Sequence, residues 1–271
     1  MSSLYISNLC SDVNNFKYFL NTIVKFRNIN GIDVAPLNIF KNWSDAEYHV
    51  KKIYKSIKYK KLKVNAIQGV FYKKNFTLEN NFSKPNNDDK VIEHFKKIVK
   101  LCMIFKCKKI IFGSAEFRNR KKCSLNYTNI FFKKFLNKII PILEKNKIYF
   151  CIETIPKIYN SNYLYKIEQT CKLVKSINNE YIKINFDSAI FFNVKFNKKL
   201  FLNNINLIEN IQISEPFFKF FIKPNSYNIN FAGILKKINY KGTVSLEIIS
   251  KKFKKNQVSN SIKNFIKLFG N

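Results

Sequence analysis

The sequence has few of the residues that interrupt regular structure, with six glycines and six prolines among 271 residues. It contains no stretch rich in serine, glycine or proline that would act as a linker, and no close internal repeat. The length is suited to one large hydrophobic core. We therefore predict a single domain over residues 1–271.

Long apolar runs and the marks of secretion are also lacking. No segment reaches the roughly 18 consecutive apolar residues of a membrane-spanning helix, and the opening MSSLYISNLCSDVNN has neither a basic region nor a long apolar region. None of the six cysteines forms a Cys-x-x-Cys pair, the spacing used by many zinc and redox sites. These features predict reduced, mostly buried thiols in a cytoplasmic protein that does not associate with a membrane.

Acidic residues are scarce, with 17 Asp and Glu against 49 Lys and Arg, which gives a net charge of +32. Such a charge ordinarily suggests a polyanionic partner. However, Lys, Asn, Ile, Phe and Tyr are all abundant, and A/T-rich codons account for this whole pattern whereas nucleic-acid binding accounts only for the lysines. The lysines are scattered along helical stretches, for example at Lys51, Lys55 and Lys58, as on a solvated outer face. We therefore predict no specific nucleic-acid partner.

Short β-branched runs alternate with segments of helical periodicity along the whole chain, a pattern typical of β/α units. We predict eight strands, at residues 4–8, 31–35, 63–69, 109–113, 148–153, 182–187, 210–214 and 243–247. Eight such units predict an α/β protein with the (β/α)8 TIM-barrel fold.

Apolar stripes predict two of the helices clearly, one over residues 89–106 and one containing Phe132, Phe135 and Ile139, with a cap at Asn126 or Thr128. The longest polar insertion, residues 73–88, follows the third strand. On the catalytic side of a barrel it would be placed to act as a lid.

Each of the last four predicted strands ends near a polar residue, namely Glu153, Asp187, Gln212 and Glu247. The carboxyl ends of barrel strands surround a single opening, so side chains distant in sequence meet there. We therefore expect these four residues to converge.

Several segments then resemble the xylose-isomerase-like TIM-barrel family of sugar and sugar-phosphate isomerases and epimerases. They are GIDVAP, AIQG, FGSAEFRNR, IETIP, INFDSA, IQISEP and VSLE, which follow one another in the family's order. The resemblance implies an isomerase or epimerase that removes a proton from carbon next to a carbonyl, with a sugar or sugar phosphate as its small-molecule partner. The resemblance is also compatible with a homo-oligomer.

In that family Glu, Asp, His and Glu hold a divalent metal, and the resemblance places these roles on Glu153, Asp187, Gln212 and Glu247. Gln212 stands in place of the usual histidine, and Ile190 in place of a second one. An all-oxygen ligand set suits Mn²⁺ or Mg²⁺, with affinity weakened by the amide. Alternatively, Gln212 hydrogen-bonds a substrate hydroxyl.

The resemblance also implies that Glu153 and Glu247 act as the catalytic acid–base pair. Further expected substrate-binding residues are Gln68, Arg118, Arg120 and Glu215. The two arginines are suited to clamp a phosphate or sugar oxygens through their guanidinium groups, and we expect one of them in the site and the other on the surface. Trp43 and Phe71 either wall the substrate or pack in the core.

Three other readings stay open. The first is a metal-independent isomerase on the same barrel, in which the two glutamates alone transfer protons. The second is a DNA-repair nuclease of the endonuclease-four type, a family that uses several histidines, whereas His49 and His94 both lie in predicted helices. The third is a catalytically inactive binding barrel, against which the three carboxylates argue.

Overall fold

The computed structural model describes residues 2–84, 87–120, 122–192, 196–250 and 252–270. Eight parallel strands form a closed barrel in which each strand pairs with the next and the last pairs with the first. They are β1 Ser3–Ser7, β2 Ile29–Val34, β3 Lys63–Ile67, β4 Lys109–Phe112, β5 Tyr149–Glu153, β6 Ile182–Asp187, β7 Ile208–Ser214 and β8 Thr243–Glu247. The predicted (β/α)8 fold is confirmed.

Ten α-helices surround the barrel in the described ranges. They are α1 Phe16–Ile23, α2 Trp43–Tyr59, α3 Leu78–Phe82, α4 Asp89–Phe105, α5 Ala115–Arg118, α6 Leu125–Asn146, α7 Ile167–Ile177, α8 Lys198–Asn203, α9 Ser226–Lys237 and α10 Lys255–Phe269. Short 3-10 helices occur at Asn8–Cys10, Pro36–Asn38, Lys157–Tyr159, Ser188–Phe192, Ile205–Leu207 and Pro216–Phe218. No helix within the described ranges is long and apolar enough to cross a membrane.

The observed strand boundaries differ from the predicted ones by at most two residues. The largest differences are at β2, which begins at Ile29, at β7, which begins at Ile208, and at β3, which ends at Ile67 instead of 69. At β3 the chain turns at Gly69, whose φ of +63° suits a residue without a Cβ atom. This turn directs the loop after β3 over the mouth of the barrel.

Two details of the helices differ from expectation. Helix α6 is capped by Ser124, whose hydroxyl accepts a hydrogen bond from the Tyr127 N–H, and not by Asn126 or Thr128. The stretch 73–88 is not entirely a loop, because Thr77 caps α3 in the same manner by accepting from the Asn80 N–H. Leu78 and Phe82 anchor α3 in the core, while Pro85 and Asn86 lie outside the described residues.

The barrel interior is polar through much of its depth. Asn65 donates to Asn210 (3.0 Å), and Asn210 donates to Asn185 (2.8 Å), so one amide network joins β3, β7 and β6. At the amino end of the barrel, Lys109 donates to Thr243 (2.7 Å), which in turn donates to Asn210 (2.8 Å). Apolar side chains on the opposite faces of the strands pack against the helices.

Candidate active site

A cavity of about 650 Å³ opens among the loops that follow the carboxyl ends of the strands. Glu153 at the end of β5 and Glu247 at the end of β8 both line it, as does Gln68 after β3. Such a cleft at this end of a β/α barrel is the usual place for an active site. The two predicted catalytic glutamates therefore share one cavity.

Asp187, at the end of β6, lies behind the cavity wall and interacts with both glutamates. Its Oδ1 accepts from the Ala189 N–H (2.8 Å) and its Oδ2 accepts from the Ser214 hydroxyl (3.1 Å). The carboxyl groups of Asp187 and Glu247 also share a hydrogen bond. Two carboxyl groups can share a hydrogen bond only when one of them carries a proton.

Burial raises the pKa of all three carboxyl groups, and repulsion from neighbouring carboxylates adds to the rise for Glu153 and Glu247. For Glu153 burial is the larger cause and the charge of Asp187 the next, while nearby Arg118 partly opposes both. Burial raises the pKa of Asp187 against the effect of its hydrogen bonds. For Glu247 burial is followed by repulsion from Asp187 and Glu153, and its pKa lies well above the ordinary range. The site is therefore suited to hold and exchange a proton near neutral pH.

Gln212 faces the barrel interior in β7, beside Asp187 on β6. Its side-chain oxygen accepts a hydrogen bond from the Asn185 amide, and its own amide donates to Gln68 Oε1 (2.8 Å). Gln68 then donates to the Ser7 hydroxyl. Asn185, Gln212, Gln68 and Ser7 thus form a hydrogen-bonded series, called the amide relay below.

The amide relay bears directly on the expected metal. Within the described ranges, no group of three or more His, Cys, Asp or Glu side chains is arranged to hold a metal ion. The Gln212 oxygen is engaged by Asn185, and both oxygens of Asp187 already accept hydrogen bonds. As arranged, the described residues therefore form no clear metal site, and a metal at Glu153, Asp187, Gln212 and Glu247 stays a prediction.

Gly113 is a site residue that the sequence reasoning did not single out. It follows β4 and lines the cavity, and a Cβ atom built on it would lie 2.6 Å from Glu153 Oε2. No side chain fits at this position without moving the carboxylate. The only sequence signal is a glycine directly after a strand, in the segment FGSAEFRNR.

Arg118 lies against Glu153 but does not line the cavity. It is fully buried, its Nη1 donates to the Glu153 backbone carbonyl (2.7 Å), and its guanidinium lies 5.6 Å from the centre of the Phe112 ring. Burial lowers its pKa to about 10. The structure therefore shows Arg118 in contact with the protein, and its contact with a substrate stays a prediction.

Arg120 and Glu215 likewise lie outside the cavity lining. The Arg120 backbone N–H donates to Asn162 Oδ1 (2.8 Å), which ties the loop after β4 to the loop after β5. Glu215 accepts from the backbone and side chain of Asn225 (3.0 and 2.8 Å) and from Asn228 (3.2 Å). These bonds order the start of α9, and contact of either residue with a substrate stays a prediction.

Neither histidine lines the cavity. Buried His94 donates to the Val70 carbonyl (2.8 Å), and burial lowers its pKa to about 4. His49 packs against Tyr48 in α2 (ring centres 4.7 Å apart). Trp43 packs against His94 (4.5 Å), whereas Phe71 does line the cavity. This placement supplies no imidazole for the metal cluster of an endonuclease-four-type nuclease.

Solved structures with the same fold include several sugar epimerases. The D-psicose 3-epimerase of Clostridium cellulolyticum H10, solved with D-tagatose, is 10% identical with a TM-score of 0.79, covering 98% of this chain and 99% of that one. The 3-keto-D-glucoside 4-epimerase of E. coli is 11% identical with a TM-score of 0.74, covering 97% and 98%. The IOLI protein, solved with a zinc atom, is 14% identical with a TM-score of 0.75, covering 99% and 98%.

At these identities the structural similarity shows the fold. No curated protein sequence matches the chain. The family model of the xylose isomerase-like TIM barrel, however, matches residues 27–268, which is most of the chain. The protein belongs to the xylose isomerase-like TIM-barrel family.

Proposed function

We propose that this protein is a sugar isomerase or epimerase that moves a proton at a carbon beside a carbonyl group. The observation that carries the proposal is the presence of Glu153 and Glu247 in one cavity at the carboxyl end of the barrel. Family membership and the sugar epimerases among its structural relatives support the same reaction class. One of those relatives acts on a keto-glucoside, so the substrate need not be a free monosaccharide.

The two glutamates have different neighbours, and this suggests different roles. Burial and the charge of Asp187 raise the pKa of Glu153 to about 8, while the Arg118 guanidinium opposes that rise and favours the charged form, which suits Glu153 to accept a proton near that pH. Burial and repulsion from Asp187 and Glu153 raise the pKa of Glu247, and its hydrogen bond with Asp187 adds to that rise, which favours the protonated form and hence its use as an acid. In one direction Glu153 would remove the proton and Glu247 would return one, and in the reverse direction the roles exchange.

The intermediate of such a reaction carries negative charge on the former carbonyl oxygen. A protonated carboxyl group held in a dry site can stabilise that charge by donating a hydrogen bond. In this proposal Glu247, hydrogen-bonded to Asp187, is the group that donates this bond. The proposal needs no step at a metal, and binding of Mn²⁺ or Mg²⁺ stays a separate prediction.

Solvent deuterium provides the test. The protein is incubated in D₂O with free ketoses and with keto-glucosides, and incorporation of deuterium at the carbon beside the carbonyl is followed by proton NMR. Glu153→Gln and Glu247→Gln should each lower turnover by about 10²–10⁴, the usual contribution of general acid–base catalysis. Glu180→Gln, at an exposed position before β6, is the matched control and should leave turnover unchanged.

Two results would contradict the proposal. The first is normal deuterium incorporation by both glutamine variants. The second is a product formed without deuterium from solvent, which would indicate internal hydride transfer in place of proton abstraction.

A further inference from the structure

The cavity has aromatic side chains on two opposite walls. On the β3 side, Phe71 packs against Phe76 and Phe117, with ring centres 6.0 and 4.5 Å apart. On the β7 side, Phe218 packs against Tyr159 (5.1 Å). All five rings line the cavity. β3 and β7 are four strands apart in the closed barrel of eight, so the segments that carry Phe76 and Phe218 start on opposite sides of the opening.

The aromatic walls lie above the carboxylates. Glu153 and Glu247 are at strand ends, whereas Phe76, Tyr159 and Phe218 are on loops that extend beyond the ends of β3, β5 and β7. A sugar carbon placed between the two glutamates would therefore leave the outer part of the cavity to be filled by something else. A volume of about 650 Å³ is in the range that holds drug-sized ligands and exceeds the needs of one sugar ring.

The lining has little positive charge for a phosphate. Lys74 is the one lysine or arginine among the described lining residues, whereas Glu116, Glu153 and Glu247 are acidic. Arg118 is fully buried behind the wall, and Arg120 lies outside the lining. A phosphate group would thus find a single cationic side chain in the lining and no arginine fork.

The β7 wall is held in a defined position. Phe218 has a left-handed backbone with a φ of 55°, and its carbonyl accepts from the Ile249 N–H (3.0 Å), which joins the loops after β7 and β8. The Tyr159 hydroxyl accepts from the Phe217 N–H (3.1 Å) and joins the loop after β5 to the same wall. A strained conformation kept by such contacts is typical of functional positions.

From these observations we infer that the outer cavity is a subsite for an uncharged aromatic substituent, so that the substrate is an aryl glycoside carrying a keto group on its sugar ring. The inference rests on the proposed function for the chemistry of the sugar. The inference goes beyond the proposed function because it assigns the binding of the aromatic substituent to the rings of Phe76, Tyr159 and Phe218. Flat rings packed between aromatic walls gain both apolar burial and favourable ring contacts.

The first experiment measures binding alone. Phenyl β-D-glucoside and methyl β-D-glucoside, which carry no keto group and cannot react, are titrated into the protein and followed by calorimetry or ligand-detected NMR. The phenyl compound should bind roughly tenfold or more tightly, the gain expected for one well-packed ring. Equal affinities, or tighter binding of glucose 6-phosphate than of the phenyl compound, would overturn the inference.

Substitutions locate the subsite. Phe218→Leu and Phe76→Leu each remove a ring while keeping an apolar side chain, and they should reduce the preference for phenyl over methyl by about three- to tenfold. Tyr227→Ala, which removes an exposed ring on α9 outside the lining, is the control and should retain the preference. If Tyr227→Ala loses the preference for the phenyl compound while the two leucine variants keep it, the phenyl ring binds elsewhere and the inference is overturned.

The second experiment compares 3-keto derivatives of the same two glucosides in D₂O. Faster deuterium incorporation into the phenyl compound, lost in Phe218→Leu, would support the subsite and the reaction together. A binding preference without exchange in any keto sugar would leave the subsite in place and count against the proposed function. Exchange that is equally fast for phenyl and methyl compounds would support the function and overturn the subsite.

Discussion

Gly113 and Glu153 are in such close contact that a single methyl group on Gly113 would lie 2.6 Å from the Glu153 carboxylate oxygen Oε2. The glycine directly follows β4 and the glutamate ends β5, the neighbouring strand. The absence of a Cβ atom at Gly113 therefore helps to determine where the carboxylate of the proposed base, Glu153, lies.

Gly113→Ala should displace the Glu153 carboxylate while leaving the barrel folded. A shift of about 1 Å in a reacting group can lower a rate by roughly 10², and we expect a loss of turnover of that order in the deuterium assay. Gly233→Ala is the matched control, since a Cβ there meets no atom within 4 Å and α9 should be slightly stabilised. If Gly113→Ala turns over normally, the contact with Glu153 does not constrain the site.

The carboxylate cluster should make the protein less stable as pH rises. Glu247 has a raised pKa in the folded state, so the folded protein binds more protons than the unfolded chain above about pH 4.3, the unperturbed value for Glu. Stability should then fall as pH rises from that value toward the folded-state pKa. Thermal unfolding between pH 5 and 8 measures this fall, which Glu247→Gln should reduce. A wild-type melting temperature that rises steadily over this range would contradict the prediction.

Arg118 should act on Glu153 through its charge. Arg118→Met keeps an extended side chain but removes the cation that favours the ionised carboxylate, so the pKa of Glu153 should rise further. The acidic limb of the pH–rate profile should move to higher pH, with partial recovery in Arg118→Lys. Arg27→Met, at an exposed position, should leave the profile unchanged. A uniform fall in rate at every pH would instead indicate a role in packing alone.

Gln212→His should alter both stability and metal binding. The substitution deprives Asn185 and Gln68 of their partner in the amide relay, and leaving a buried polar group unpaired costs about 1–3 kcal/mol. The variant should therefore melt at a lower temperature in EDTA. Mn²⁺ should then raise its melting temperature more than that of the wild type, because imidazole binds transition metals better than an amide does.

Gln257→His, at an exposed position of α10, controls for adventitious binding of Mn²⁺ by a new histidine. If Mn²⁺ stabilises the wild type as strongly as it stabilises Gln212→His, then Gln212 is not what limits metal binding.

The fold and the positions of Glu153, Asp187 and Glu247 could be predicted because both follow from local patterns. Apolar runs mark the strands, and a parallel barrel brings every strand end to the same opening. The contacts of Gly113, Gln212 and Arg118 could not be predicted from local sequence patterns. They depend on which atoms lie across the barrel, such as the Glu153 carboxylate beside Gly113 or the Phe112 ring beneath Arg118. Glu215 is a similar case, since its partners Asn225 and Asn228 lie ten or more residues further along the chain.

The polar interior of the barrel also constrains how the chain can fold. Asn65, Asn185 and Asn210 are bonded across β3, β6 and β7. Slipping any of these strands by one residue would turn its amide toward the apolar helices and bring an aliphatic side chain inside. Aliphatic cores tolerate small shifts because their contacts are non-directional. A buried amide that loses its hydrogen-bond partner instead costs free energy, so the amide network does not tolerate such shifts. Misregistered barrels are thus disfavoured, and the register that pairs these amides is also the one that brings the proposed catalytic groups to one opening.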